Sequence, residues 1–303
     1  MKRFISPQEL ARDRRFKRAT FRNTLLRTLP DDVDQIVEIV EKVAPRIEER
    51  VRGTALERAY AELGPLFQVL MNQAQGGTGA GQGWQLRARL HGIFVGELQA
   101  LEAAGRTLWD FPDAPWEFKL NMARQCWDEA RHVQIYEKLL EREGGELGEF
   151  PESTFLFETS CADDPVLRVA GVNRCLEGLA CDSFRALIDG ARERGDAVLE
   201  QAVDFVLADE LTHVRFGSEW LKEFTRNDPA RAQAAREFQR ETDRAFAVGG
   251  ERRIAREERR EAGFSDAELD EIEAPSDYQG PRRDTLLRAA EQLRERHLAR
   301  RPA

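Results

Sequence analysis

The stretches DEARHVQIYEKLL at residues 128–140 and DELTHVRFGSEWL at residues 209–221 decide how this chain is expected to fold. Each contains a glutamate and a histidine three positions apart, Glu129 with His132 and Glu210 with His213. On a helix, residues at this spacing share one face and lie about 5–6 Å apart at Cβ. Each stretch therefore predicts a helix on which one carboxylate and one imidazole can hold the same ion.

A further glutamate precedes each motif in a mostly apolar segment. Glu97 lies in HGIFVGELQAL and Glu177 in NRCLEGLACDSF. Glu129 follows Glu97 by 32 positions, and Glu210 follows Glu177 by 33 positions. The chain thus contains a repeat, in which a helix with one glutamate is followed by a short turn and an antiparallel helix with Glu-x-x-His. This residue set is the one that builds a dinuclear site inside a helical bundle.

Four long helical stretches contain these motifs. The apolar periodicity predicts helices over roughly 84–110, 115–143, 165–194 and 196–226. Turn signals separate them at Phe111-Pro112-Asp113, Gly144-Gly145 and Gly195-Asp196. A longer connection, which ends at Asp163-Asp164-Pro165, joins the second helix to the third. Two short links and one long crossover are typical of one class of four-helix bundle.

The N-terminal part, residues 1–83, is expected to pack on this bundle. It begins with a basic arm over residues 1–30 and continues with a helical pattern from Asp31 to about Asn72, with breaks or kinks at Pro45 and Gly64. The segment AQGGTGAGQG at 74–83 is expected to be a loop. It is not a phosphate-binding loop, because it lacks a lysine and the Gly-x-x-x-x-Gly-Lys pattern.

The C-terminal part, residues 228–303, is a charged helical extension of the central bundle at 84–227. We expect its charges to form a solvated face and its helices to pack on the bundle or on a second subunit. One apolar stripe is predicted, formed by Leu286, Leu287, Ala290 and Leu293.

Four carboxylates inside a bundle would be costly unless cations neutralised them. Two divalent ions would balance the four glutamates, and neutral imidazoles would complete the ligand shells. Mixed oxygen and nitrogen ligands suit iron or manganese, whereas thiolate-rich sites suit zinc and all-oxygen sites suit calcium or magnesium. We therefore expect two metal ions, Fe/Fe or Mn/Fe.

On these residues the chain resembles the ferritin-like diiron-carboxylate superfamily, which includes oxygenases, acyl desaturases and the radical-generating subunit of ribonucleotide reductase. Within that group it most resembles an uncharacterised bacterial ferritin-like family, a domain of unknown function. The resemblance covers roughly 84–226 and implies an all-α fold, a ferritin-like four-helix bundle with one long crossover and additional N- and C-terminal helices. It also implies a ligand set with Glu129 and Glu210 bridging; the set comprises Glu97, Glu129, His132, Glu177, Glu210 and His213.

The resemblance also suggests roles for neighbouring residues. Asp128 and Asp209 would hydrogen-bond a ligating histidine across the bundle and orient its ring. Tyr136 occupies a position like that of the radical tyrosine of the reductase, or else is a hydrogen-bonding core tyrosine. The corresponding position in the other half is Gly217, whose missing side chain could leave room for substrate or O2. Cys181 could line the same pocket or simply pack in the core.

The function implied first is that of an O2-activating oxidase or oxygenase acting on a small organic substrate, with an electron-donor protein and a homodimeric assembly. Three alternatives stay open. The chain could oxidise and store iron or scavenge peroxide, it could be a tRNA-modifying hydroxylase that uses the basic arm, or the metal could merely staple a structural or partner-binding module.

The amino-acid composition excludes several other classes of protein. Hydrophobic residues make up 41% and charged residues 33% of the chain, and no apolar run approaches the ~20 residues that cross a bilayer. The N-terminus lacks the apolar stretch of a signal peptide, so we expect a cytoplasmic protein. A net charge of −9 argues against a general nucleic-acid binder. The four cysteines form no Cys-x-x-Cys pair, which argues against zinc ribbons and redox motifs.

Overall fold

The computed structural model describes residues 28–64, 83–152, 154–246, 253–274 and 280–301. All regular elements in these ranges are helical, and they contain no strand. The α-helices are numbered here in chain order, and a π-helical segment lies between α6 and α7. The elements are α1 Val33–Val51, α2 Leu56–Leu63, α3 Trp84–Asp110, α4 Trp116–Arg142, α5 Phe155–Thr159, α6 Pro165–Arg168, the π segment Val169–Leu176, α7 Glu177–Glu193, α8 Ala197–Thr225, α9 Pro229–Phe246, α10 Arg256–Glu261, α11 Asp266–Glu273 and α12 Arg283–Ala299.

Two helical hairpins dominate the fold. Helix α3 packs along α4, helix α7 packs along α8, and α8 also contacts α4. The turns lie where the sequence predicts them. Helix α4 starts after Pro115, and α8 is capped by Asp196, whose side chain accepts from the Leu199 N–H. A proline just before the first turn and an aspartate cap suit these ends, because the first N–H groups of a helix have no partner within it.

The third predicted helix is not a single α-helix. Asp164 caps α6 by accepting from the Val166 N–H, but the backbone then winds as a π-helix from Val169 to Leu176 before α7 begins at Glu177. A π turn contains more residues than an α turn, so it changes which side chains face the neighbouring helices. Sequence periodicity did not predict this segment.

The apolar core lies between the two hairpins. Its largest cluster combines buried residues of all four long helices with residues of the C-terminal extension, for example Leu90, Tyr136, Phe184, Val206 and Phe264. A second cluster forms where α12 packs on α1 and α2. The C-terminal extension therefore contributes to two clusters. Residues of and around α10 and α11 pack against the hairpins, as expected, whereas α12 packs on α1 and α2.

Several expectations for the flanks need correction. Pro45 does not break the first helix, because α1 continues through it to Val51. Gly64, in contrast, does end a helix, with a positive φ of 56°. Leu287 is exposed, and Ala289 takes its place in the apolar face of α12. The basic arm before residue 28 and most of the glycine-rich loop lie outside the described residues.

The charged C-terminal extension is not wholly a solvated face. Arg259 in α10 is only 2% exposed and forms a bidentate ion pair with Asp182 of α7, at 2.8 and 2.6 Å. Its guanidinium lies beside Phe264 and against Gly178, where an added Cβ would come within 2.6 Å of Nη1. The extension is thus anchored to the hairpin by a buried charge. Within the described ranges, no helix is long and apolar enough to cross a membrane.

Candidate metal centre

The structure brings the six predicted ligands together. They form two overlapping groups, and within each group one ligand atom from every residue lies within 4.8 Å of the others. Glu129 and Glu210 belong to both groups. The first group is Glu97, Glu129, His132 and Glu210, and the second is Glu129, Glu177, Glu210 and His213. Each of these groups could hold a metal ion, and the two groups share two carboxylates.

All six side chains are buried, and each lies on one of the four long helices. Glu97 is the most accessible at 5%, while both histidines and both shared glutamates are at 0%. Each hairpin contributes three of them, one from its first helix and two from its second. The centre therefore lies between the hairpins, enclosed by the largest apolar cluster.

The two imidazoles are oriented from both sides. His132 Nδ1 lies 3.0 Å from Glu129 Oε2 and 3.2 Å from Glu210 Oε1, and His213 Nδ1 lies 3.2 Å from Glu129 Oε1. The Nε2 atoms point the other way. His132 Nε2 is 3.3 Å from Asp209 of the opposite hairpin, and His213 Nε2 is 3.3 Å from Asp128. Each Nδ1 thus faces the glutamates while an aspartate accepts from the opposite nitrogen.

Two arginines hold these aspartates at the edge of the centre. Arg131 donates to Asp128 and also to Asp209 Oδ2, the latter at 3.0 Å, and Arg124 donates to Asp128 Oδ2 at 3.2 Å. Burial alone would raise the pKa of Asp128, but the bonds from His213 and Arg131 lower it to about 2. Asp128 is therefore a carboxylate at neutral pH, as a partner of an imidazole N–H must be.

The electrostatics of the four glutamates are unequal. Burial, reinforced by the charge of Glu210, raises the pKa of Glu97 and of Glu177 well above the usual range. The pKa of Glu129 and of Glu210 is lowered despite burial, because neighbouring groups stabilise their charged forms: Glu177, His132 and His213 beside Glu210, and His213 and His132 beside Glu129. The same pairs overcome burial and raise the pKa of both histidines. These directions predict that, without metal, Glu97 and Glu177 keep their protons, Glu129 and Glu210 are carboxylates, and both histidines are charged.

Several buried atoms of the centre lack hydrogen bonds. Among the described residues, neither carboxylate oxygen of Glu210 has a partner, and neither has His213 Nδ1. Their neighbours at 3.2–3.6 Å attract them by charge but do not lie along hydrogen-bond directions. Unpaired buried polar atoms are rare and costly. Oxygen and nitrogen atoms that converge without mutual bonds are suited to holding a cation.

Two amides of the centre carry no spacing signal: Gln125, which contacts two of the glutamates, and Asn173, which contacts Gln125. Gln125 Nε2 donates to Glu129 Oε1 at 3.1 Å and to Glu177 Oε1 at 2.9 Å, and Asn173 Nδ2 donates to Gln125 Oε1 at 2.9 Å. Both amides are buried. Gln125 could have been found, because it lies one turn before Glu129 and so shares its face. Asn173 could not, because its direction depends on the π winding.

The remaining candidates differ from expectation in part. Tyr136 is fully buried against Phe184, and its hydroxyl forms no hydrogen bond with another described residue. Gly217 leaves no pocket, because an added Cβ would lie 2.6 Å from Asn173 Cβ. Cys181 is buried in the apolar cluster, where burial raises its thiol pKa well above the usual range. All four cysteines are free thiols.

Comparison with known proteins gives a family for the chain. The family described as "Protein of unknown function (DUF455)" matches residues 66–270. The chain belongs to this family. The DUF455 match spans both hairpins and ends within α11, so it includes all six residues of the candidate centre together with Gln125, Asn173 and Arg259. No curated protein matches the chain, and no solved structure does.

Proposed function

We propose that this chain is a dimetal-carboxylate protein of the ferritin-like type that activates O2 to oxidise a small organic substrate. The long helices α3, α4, α7 and α8 would form the four-helix bundle, and the π segment would belong to its third helix. The observation that carries the proposal is the pair of four-residue groups that share Glu129 and Glu210. Such sharing suits two ions bridged by carboxylates.

The donor set fits iron or manganese. Each group supplies carboxylate oxygens and one imidazole nitrogen and contains no cysteine. This mixture suits iron and manganese better than zinc, calcium or magnesium. Two divalent ions would also neutralise four buried glutamates, whose charges would otherwise be strongly unfavourable. The unpaired oxygens of Glu210 support the same assignment.

When bound, two such reduced ions can supply the electrons that O2 chemistry needs. The protein's own side chains would orient the ligands and exclude water. Asp128 and Asp209 would keep both imidazoles turned with Nδ1 toward the ions. The apolar cluster around Leu90, Phe184 and Val206 would exclude water from the reacting groups. An electron donor and an organic substrate would complete the reaction.

A second candidate is a metal that only staples the fold. The composition of the two groups favours it, since each contains residues from both hairpins and an ion held by either would join the halves of the molecule. Oxygen consumption separates the two functions. A staple would bind metal and raise stability without consuming O2, whereas an oxidase would consume O2 after ferrous loading.

The test begins with metal analysis of protein from cells supplied with iron and manganese, followed by anaerobic Fe(II) loading and exposure to O2. We expect about two ions per chain and O2 uptake. The Glu129→Ala and His213→Ala proteins should each lose at least one ion. Glu129 belongs to both ligand groups, and His213 supplies the imidazole of the second group. Glu102→Ala is the matched control, since Glu102 lies on α3 beyond Glu97 but is exposed. Two tightly held ions in either ligand variant would contradict the assignment.

A further inference from the structure

The two halves of the centre are not surrounded alike. Counting back four positions from Glu129 gives Gln125, and the same step from Glu210 gives Val206. Four positions before Glu177 lies Asn173, whereas four before Glu97 lies Ile93. The repeat that supplies identical ligands therefore places amides on one side and aliphatic side chains on the other.

The amides form a fixed chain of hydrogen bonds. Gln125 must present Nε2 to Glu129, because the Glu129 carboxylate only accepts; the same Nε2 also reaches Glu177, and Oε1 then accepts from Asn173. The π winding places Asn173 where it reaches Gln125, and the missing side chain of Gly217 makes room for it. Each hydrogen bond between these amides and glutamates therefore has a defined donor and a defined acceptor.

Glu97 has no equivalent support. Among the described residues its hydrogen bond is with His132 Nδ1 at 3.3 Å, and that nitrogen would itself be a metal ligand. Once an ion is bound, Glu97 would lose this partner, while Glu177 would keep Gln125. Phe94 and Val95, three and two positions before Glu97, belong to the main apolar cluster, and their side chains donate no hydrogen bonds.

We infer that the Gln125–Asn173 amide pair makes the two ion positions unequal, because it fixes one oxygen of Glu177. The Glu177–His213 position then holds its ion firmly, whereas the Glu97–His132 position exchanges its ion readily. This inference rests on the proposed dimetal function. Gln125 and Asn173 are positioning residues: they act through Glu129 and Glu177. The Glu97–His132 position, whose glutamate is less constrained, is then the one at which a carboxylate can change how it binds the ion.

The experiment measures ion release and needs no turnover. Protein loaded anaerobically with cobalt(II) alone is mixed with excess chromogenic chelator, and release is followed with time. We expect wild-type protein to release two ions in two phases whose rates differ by about tenfold or more. In Gln125→Leu the slow phase should accelerate about 10–100-fold, as for the loss of a group that supports a ligand. The fast phase should accelerate much less, because only Glu129, of the two ligands that Gln125 supports, also belongs to the other position.

Gln99→Leu is the matched control. Gln99 is also a buried glutamine on a long helix, but it bonds to the Val95 carbonyl and the Phe157 N–H instead of the glutamates. Its variant should release both ions at wild-type rates. Asn173→Ala, which removes the donor to Gln125 without touching a carboxylate, should accelerate the same slow phase more weakly and serves if Gln125→Leu does not fold.

Three results would overturn the inference: a single release phase in wild-type protein, equal acceleration of both phases in Gln125→Leu, or an unchanged slow phase in both amide variants. Acceleration by Gln99→Leu equal to that by Gln125→Leu would also overturn it, since that would indicate general loosening. Folded wild-type protein that binds no cobalt would instead reject the proposed dimetal function, and with it the inference. The two failures are therefore distinguishable.

Discussion

Each histidine of the centre depends on an aspartate from the opposite hairpin. Asp209 is the one to test, because it is the more accessible of the two and bonds to His132 Nε2. We predict that Asp209→Asn weakens Mn(II) binding about tenfold or more, since a neutral acceptor holds the ring less firmly and makes it a poorer ligand. Competition against a fluorescent chelator would measure this affinity.

Asp204→Asn is the control for that prediction, because Asp204 lies on the same helix, α8, and is exposed. Its Mn(II) affinity should equal that of the wild type. An Asp209→Asn protein with wild-type affinity would show that the aspartate does not support the ligand.

Among individual residues, the sequence predicted those that recur at a regular helical spacing. The Glu-x-x-His repeat is visible in the sequence because i and i+3 meet on any helix. Gly217 was misread because a glycine indicates only a missing side chain, and only the structure shows that Asn173 fills the space. The contact between Asn173 and Gln125 was missed for the same reason, because it depends on how two helices approach each other.

Among the elements, α3, α4 and α8 follow the predicted bounds closely because apolar periodicity and turn residues agree there, whereas the predicted third helix is divided into α6, the π segment and α7. The π segment escaped because no residue pattern distinguishes it from an α-helix of similar composition. Helix α1 passes through Pro45, where a break or kink was predicted, because packing of Ile36, Val37 and Val40 on α12 outweighs one lost hydrogen bond.

The element whose docking is most readily tested is α10. Arg259 and Asp182 form a buried bidentate pair that fixes α10 on α7. We predict that Arg259→Met lowers the free energy of unfolding by about 3–5 kcal/mol, because it leaves the Asp182 charge without its cation in a mostly buried site. Urea unfolding of the metal-free protein, followed by circular dichroism, is the measurement.

The double variant Arg259→Met/Asp182→Leu tests the cause. Replacing both partners removes the uncompensated charge, so it should recover much of the lost stability. A double variant no more stable than Arg259→Met would mean that packing of the arginine, and not the ion pair, holds α10 in place. Arg260→Met, which removes an exposed arginine of the same helix, should change stability little.

At the scale of the whole molecule, the centre couples metal binding to pH. In the metal-free protein, burial raises the pKa of Glu97 and Glu177, and the negative charge of the surrounding carboxylates raises the pKa of His132 and His213. The folded state then keeps protons that the unfolded chain loses near pH 4.5 for the glutamates and 6.5 for the histidines. Stability of the metal-free protein should therefore fall as pH rises through and beyond these values.

Metal should reverse this dependence, because two divalent cations replace the same positive charge that the protons supplied. We predict that binding two Mn(II) ions near pH 7 releases about four protons, two from neutral carboxyls and two from imidazoliums. The increase in Tm caused by Mn(II) should consequently be larger at pH 8.5 than at pH 6. Calorimetric titration in buffers of different ionisation enthalpy would count the protons, and thermal melts at the two pH values would test the coupling.

Glu97→Gln/Glu177→Gln isolates the carboxyl contribution, because glutamine keeps the shape of a neutral carboxyl but has no proton to release. In this variant the metal-free protein should lose stability less steeply between pH 4.5 and 6.5 than the wild type does. Its histidines should still make stability fall above pH 6.5. If Mn(II) binding to the wild type released no protons, or raised Tm equally at pH 6 and pH 8.5, the protons would not occupy the metal positions, and the charge balance assigned to the centre would be wrong.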